Sequence, residues 1–184
     1  MAENGEDGYT SQIESDNSGR TEVKKPLDGK IALNYASTKD IAALLKLDGE
    51  LKEYRGQCHC GTVKFMCAAP RNLTVWKCNC SICFMKQNHH FVVSEHAFAL
   101  LCGEDQLSEY NFGSGVARHL FCKFCGVQSF YKPRSNPNGY GITLYCLSPF
   151  SQVECYTPSE FDGQNWEEFY AGAGSNIKKF SREL

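Results

Sequence analysis

From about residue 54 onward the chain runs in short apolar stretches of period two, punctuated by Gly, Pro and Asn. Residues 62–67, 73–77, 91–93, 98–101, 107–112, 117–121, 128–131 and 141–145 each read as a strand. Short strands at such regular intervals predict stacked or partly rolled antiparallel sheets. Upstream the period is that of a helix. Ser37-Thr38-Lys39-Asp40 has the form of a helix-start box, and Ile41, Leu44, Leu45 and Leu51 recur at helical spacing behind it. A short amphipathic helix over 38–47 follows, with Gly49 interrupting the run. Near the far end Asn165 is placed to cap Trp166-Glu167-Glu168-Phe169-Tyr170, with Glu168 completing a capping box.

The ends differ from the middle. Residues 1–30 hold seven acidic and four basic side chains and almost no large apolar group. Burial cannot offset their ordering entropy, which predicts a disordered acidic tail. The expected organisation is that tail, a helical lead-in over 31–53, a domain over 54–172 and a mobile polar end over 173–184.

Charge and composition then narrow the function. A net charge of −2, with the chain after residue 30 close to neutral, leaves no basic stripe and no strong nucleic-acid signal. No stretch reaches the roughly 18 apolar residues of a membrane span, so no membrane partner is expected. Eleven cysteines behind an amino terminus with no apolar leader point to a reducing compartment, cytoplasmic or nuclear, and not to secretion. Protein partners are not legible.

Seven of the cysteines are clustered: Cys58 and Cys60, then Cys78, Cys80 and Cys83, then Cys122 and Cys125. Thiolates at C-x-C and C-x-x-C spacing are soft ligands suited to tetrahedral zinc, which takes four ligands in a structural site and three plus an open position in a catalytic one. The seven divide as Cys58, Cys60, Cys122 and Cys125 in a closed site, and Cys78, Cys80 and Cys83 in an open one. Other readings stand beside this division. Disulfides are strained at C-x-C spacing, and eleven cysteines cannot all pair. Both sites can be structural, with His59, His89, His90 or Cys146 completing the shorter set. An iron–sulfur cluster usually wants four thiolates where the local run supplies three.

Gln57-Cys58-His59-Cys60-Gly61, Cys78-Asn79-Cys80-Ser81-Ile82-Cys83 and the run from Phe121 through Cys122, Cys125 and Gly126 to Phe130 resemble the three signature segments of the glutathione-dependent formaldehyde-activating family. Lys86-Gln87-Asn88 and Tyr131-Lys132-Pro133-Arg134-Ser135-Asn136-Pro137 resemble its centromere protein V branch, although the long basic, proline-rich amino-terminal region of that branch is here a short acidic one. The resemblance covers roughly residues 54–170. It implies a mainly β, two-zinc, Mss4-like domain with short flanking helices, and the same four-plus-three division of ligands. It also implies the substrates, glutathione and formaldehyde, joined by a carbon–sulfur lyase into S-hydroxymethylglutathione. The alternative it implies is a non-catalytic zinc module with a chromosome- or cytoskeleton-associated role.

Chemistry and surroundings shape these expectations. Three thiolates leave a zinc centre negative where three neutral histidines leave it positive, so this centre suits an incoming thiol better than the generation of hydroxide. Many relatives place a basic residue after the third cysteine and a Gly-Ala pair beyond it; here Phe84 and Asn88-His89 stand there. His89 and His90 are the candidate proton shuttles, with Cys146 as a possible pocket thiol. Lys86, Arg118, Lys123 and Arg134 are the candidates to meet glutathione carboxylates. Cys67, Cys102 and Cys155 read as small buried strand residues. Gly61 and Gly126, each directly after a ligand pair, read as turn glycines of zinc knuckles.

Overall fold

The capping box at Ser37 opens the first element. Ser37 Oγ accepts from the Asp40 N–H at 3.2 Å and Asp40 Oδ2 accepts from the Ser37 N–H at 2.9 Å, so two amides that the helix cannot pair are satisfied at the start of α1 (Thr38–Leu47). Ile41 is fully buried beneath it. The structure, a computed structural model, describes residues 31–181, so the acidic tail expected over 1–30 lies outside the described residues.

Helix α1 stops at Leu47, and Leu51, which its spacing had attached to the helical run, opens β1 (Leu51–Gln57) instead. β1 pairs with β2 (Lys64–Pro70), and β2 with β5 (Phe98–Cys102), as a three-stranded antiparallel sheet. A five-stranded sheet has the order β10 (Cys155–Phe161), β3 (Asn72–Cys78), β4 (His89–Ser94), β9 (Gly139–Thr143) and β8 (Phe130–Tyr131). β6 (Leu107–Tyr110) and β7 (His119–Cys122) pair as a two-stranded ribbon. The fold is mainly β with short helices, as the pattern predicts. One pair departs from the antiparallel expectation: β10 lies parallel to β3. β10 escapes a period-two reading because it is an edge strand, exposed from Cys155 to Pro158 and without alternating burial.

Alternation along β3 and β4 divides the interior into two. Leu73, Val75, Phe91 and Val93 face the main core, where Phe65, Phe98, Phe130 and Tyr140 pack with ring centroids 4.0–5.9 Å apart. Trp76 and Val92 face the other way, into a smaller cluster with Phe161 and Ile177. Ile177 belongs to a 3₁₀ segment, Ala173–Ser181, which lies within the end expected to be mobile and packs against this sheet face. The segment is held because Ile177 and Phe180 cover an otherwise open sheet face, while Asn136 Nδ2 donates to Ile177 O at 3.0 Å and to Ser181 Oγ at 2.7 Å.

Two short helices complete the frame. α2 (Ser81–Lys86) carries Cys83 and ends at Gln87 in the left-handed region. α3 (Trp166–Ala171) forms where expected, but Asn165 makes no side-chain cap. Its amide donates to Asp162 Oδ2 at 2.9 Å instead, turning the preceding loop back toward β3.

Candidate metal centres and the cavity beside them

The turn joining β1 to β2 carries Cys58 and Cys60, and the end of β7 with its following turn carries Cys122 and Cys125. Their four sulfurs lie within 4.8 Å of one another. Cys58 and Cys60 sulfurs are 3.5 Å apart, and Cys60 and Cys122 sulfurs 3.6 Å. Sulfurs around a tetrahedral zinc stand about 3.8 Å apart, given a Zn–S distance of about 2.3 Å. The residues therefore fit a zinc ion. Both halves are built alike: the Cys58 N–H donates to Val63 O at 3.0 Å and the Cys122 N–H to Val127 O at 3.1 Å. Gly61 and Gly126, at φ 75° and 71°, close these turns in a region where a Cβ would be strained.

The second group is assembled locally. Cys78 ends β3 on the face it shares with Trp76, Cys80 follows in the loop, and Cys83 sits in α2; these three sulfurs also lie within 4.8 Å of one another. No histidine, carboxylate or further thiol among the described residues joins them. The Cys80 thiol is held well below its ordinary value, first by its Cys78 and Cys83 neighbours and also by the amides of Cys83 and Ile82. The same neighbours push the Cys78 and Cys83 thiols up, and the fit to zinc rests on three soft sulfurs placed around one point.

A backbone clamp supports this group. Asn79, between two of the cysteines, donates from Nδ2 to Asp162 Oδ1 at 3.0 Å and accepts the Gln164 N–H at 3.0 Å. That brings Gly163 onto the sulfurs. A Cβ at 163 would collide with Cys78 Sγ and lie 2.7 Å from Cys80 Cβ, so only glycine permits the approach.

A cavity of about 190 Å³ opens beside the three cysteines. Its walls are Ile82, Phe112, Phe161, Trp166 and Ile177, and its polar groups include His90, His119, Tyr131 and Arg134. Strand alternation separates the two candidate histidines. His90 shares the inward face with Val92 and lines this cavity, whereas His89 points to the opposite side. There His89 Nδ1 meets Tyr145 Oη at 3.2 Å, at the edge of a wider cavity of about 830 Å³ that also takes His59, Lys86 and Cys146. Of the pair, only His90 is near the three-cysteine group. Its Nδ1 lies 3.2 Å from Asn88 O, a pure acceptor, so Nδ1 carries the proton and Nε2 accepts from Tyr131 Oη at 2.9 Å. Burial pushes its pKa down to about 4, and the ring is neutral.

Other expected residues are also accounted for. Cys146 lines the wider cavity, where burial raises its thiol to about 11. Cys67 is buried, but Cys102 and Cys155 are exposed because they sit at a strand end and on the sheet edge. Arg118 is taken by Glu109, with contacts of 2.9 and 2.7 Å, and Lys123 by Asp105 O at 2.7 Å. Lys86 donates to Gln128 Oε1 at 2.9 Å. Arg134 alone among the four lines the cavity, with its guanidinium 3.6 Å over the Trp166 ring and paired to Glu167. The sequence reading missed His119, Tyr131 and Gly163. A histidine within the apolar run at 117–121 was the available signal, since a buried polar group needs a partner.

The family model described as glutathione-dependent formaldehyde-activating enzyme matches residues 53–161. The chain belongs to this family. A crystal structure of a Rhodobacter sphaeroides protein is 27% identical to it, over 57% of this chain and 99% of that one, with a TM-score of 0.48. The family match establishes the formaldehyde-activating family and not the centromere protein V branch within it. Both cysteine groups fall inside the matched segment, as do β2 to β10 in full. α1 lies before that segment, and the helical cover formed by α3 and the 3₁₀ segment lies after it.

Proposed function

We propose that this family member joins a thiol such as glutathione to a small aldehyde such as formaldehyde, as a carbon–sulfur lyase of the S-(hydroxymethyl)glutathione synthase type. One observation carries the reading: four sulfurs complete the first group, whereas the second has three, no fourth protein ligand among the described residues, and a cavity at its side. A zinc ion held by Cys78, Cys80 and Cys83 would supply a soft position at which a thiol is kept as thiolate near neutral pH. The chain's own residues do the rest. Phe112, Phe161 and Ile177 keep water from the reacting carbonyl. Arg134, stiffened by Trp166, offers a guanidinium to a carboxylate of the thiol substrate. Two zinc ions per chain and glutathione as co-substrate follow from this assignment. Elemental analysis and calorimetric titration test it: about two zincs and saturable glutathione binding are expected, and two zincs without thiol binding overturn it.

Phe84 and Met85 favour a second reading. They are 67% and 80% exposed on α2, beside Cys83, where a protein partner would cover them. In that case the chain is a non-catalytic zinc module, of the chromosome- or cytoskeleton-associated kind. The same titration separates the two readings.

A further inference from the structure

His119 is only 2% exposed, yet neither ring nitrogen has a hydrogen-bond partner. More than about 90% of buried polar groups in folded proteins are paired, so an unpaired imidazole inside a cavity marks a place for a ligand atom. The ring lines the cavity beside Cys78, Cys80 and Cys83. It is fixed in plane by Tyr131, stacked at 5.3 Å and 6°, and flanked by Phe112 at 5.6 Å. No ring nitrogen joins the sulfur group, which separates His119 from the metal ligands.

One polar side chain, that of Gln128, lies against the ring. Lys86 has only donors, so its 2.9 Å contact fixes Oε1 of Gln128 and turns Nε2 the other way. The Gln128 side chain lies beside His119, and its Nε2 is itself unpaired. A neutral ring carries one N–H, and no hydrogen bond within the protein engages it.

We propose that His119 is a catalytic residue, donating its ring N–H to the carbonyl oxygen of the aldehyde and stabilising the negative charge that develops on it. The inference rests on the synthase reading of the three-cysteine centre and adds the group that receives the oxygen. In the step, the thiolate sulfur forms a bond to the carbonyl carbon and the carbonyl π pair moves to oxygen. The oxygen then takes a proton from water, replacing the one the thiol released to water on entering; nothing is oxidised or reduced. Burial holds the His119 pKa down to about 4, so at neutral pH the ring is a neutral donor, as an oxyanion partner needs to be.

The test uses the full-length, zinc-loaded chain with His119→Phe, which keeps a stacking ring without N–H, and His119→Asn, which keeps an amide N–H. Glutathione binding, zinc content and the rate of S-hydroxymethylglutathione formation are measured on each. For His119→Phe, kcat is expected to fall about 10²–10³-fold, with two zincs and unchanged glutathione affinity, and His119→Asn is expected to recover part of the loss. In ¹⁵N-histidine-labelled wild type, the His119 ring signals should move when formaldehyde is added to the glutathione complex. Full turnover by His119→Phe, loss of one zinc from it, or unmoved ring signals overturns the assignment. If His119→Phe does not fold, His119→Asn and the wild-type ring signals decide. An active wild type with an unaffected His119→Phe overturns the role of His119 alone. An inactive wild type that binds no glutathione overturns the synthase reading and this role together.

Discussion

The two cysteine groups use the same ligand chemistry on opposite structural terms. Cys58 and Cys60 meet Cys122 and Cys125 across 62 positions of chain, and Cys58 and Cys122 are 1% exposed at the edge of the main core. Cys78, Cys80 and Cys83 come from one strand end, one loop and one short helix, beside the smaller aromatic cluster. Closing a loop of that length costs the unfolded chain about 2 kcal/mol more than closing one of about five residues. Zinc held by four thiolates in small structural sites contributes about 10–16 kcal/mol near neutral pH, against about 5–15 kcal/mol for the net stability of a whole domain. With zinc bound, the first group would hold the fold together, and the second would be free to be shaped by what it binds. Backbone supports follow the same division: paired positive-φ glycines tighten the first, while Asn79 and Gly163 bring a distant loop over the second.

Cys125→Ser should give the largest effect. Removal of one ligand from the closed site is expected to release its zinc and unfold much of the domain, seen as loss of the circular-dichroism transition. Cys83→Ser should leave the fold and one zinc per chain while abolishing glutathione binding by calorimetry. If the two variants unfold to the same extent, the contrast between the sites collapses. Gly163→Ala sharpens it further, since the added Cβ meets Cys78 and Cys80 but not the four-cysteine group. Zinc affinity at the second site is expected to weaken about 10–100-fold, as for loss of other groups supporting metal ligands, with the first site unchanged in a chelator competition.

The smallest expected effect concerns the ribbon that carries Cys122. Arg118 is fixed by Glu109 through two contacts, and this pairing holds the Glu109 carboxyl below its ordinary value. A depressed folded pKa contributes stability above the unfolded carboxylate pKa, and that contribution is lost as pH falls through the lower folded value. Glu109→Gln should therefore cost about 0.5–1 kcal/mol at neutral pH, with the difference from wild type vanishing under acid in denaturant melts. A loss as large as that of Cys125→Ser would mean the ribbon, and not the metal, closes the fold.

Much of this is legible in short windows of sequence. The box at Ser37 fixes the start of α1 because its two hydrogen bonds span three residues. The ligand groups follow from thiolate spacing, and the glycine after each half of the closed site follows from the turn it must make. Period two locates most strands, because burial alternates wherever one face of a sheet meets a core.

The rest depended on which segments meet. The adjacent His89 and His90 look like one pair in the sequence, but alternation along β4 sends them to different cavities. His119 takes its significance from Tyr131, Gln128 and three cysteines that are distant in the chain. Gly163 is an ordinary loop glycine until Asn79 draws it onto Cys78. Residues 173–181 read as a polar tail because the sheet face that buries Ile177 is built from β3 and β4, about a hundred residues earlier. The Ser37 box, the knuckle turns and the ligand spacing are set by interactions a few residues long, which the sequence determines by itself. Facing, burial and the company a side chain keeps are set by long-range register, which only the tertiary structure decides.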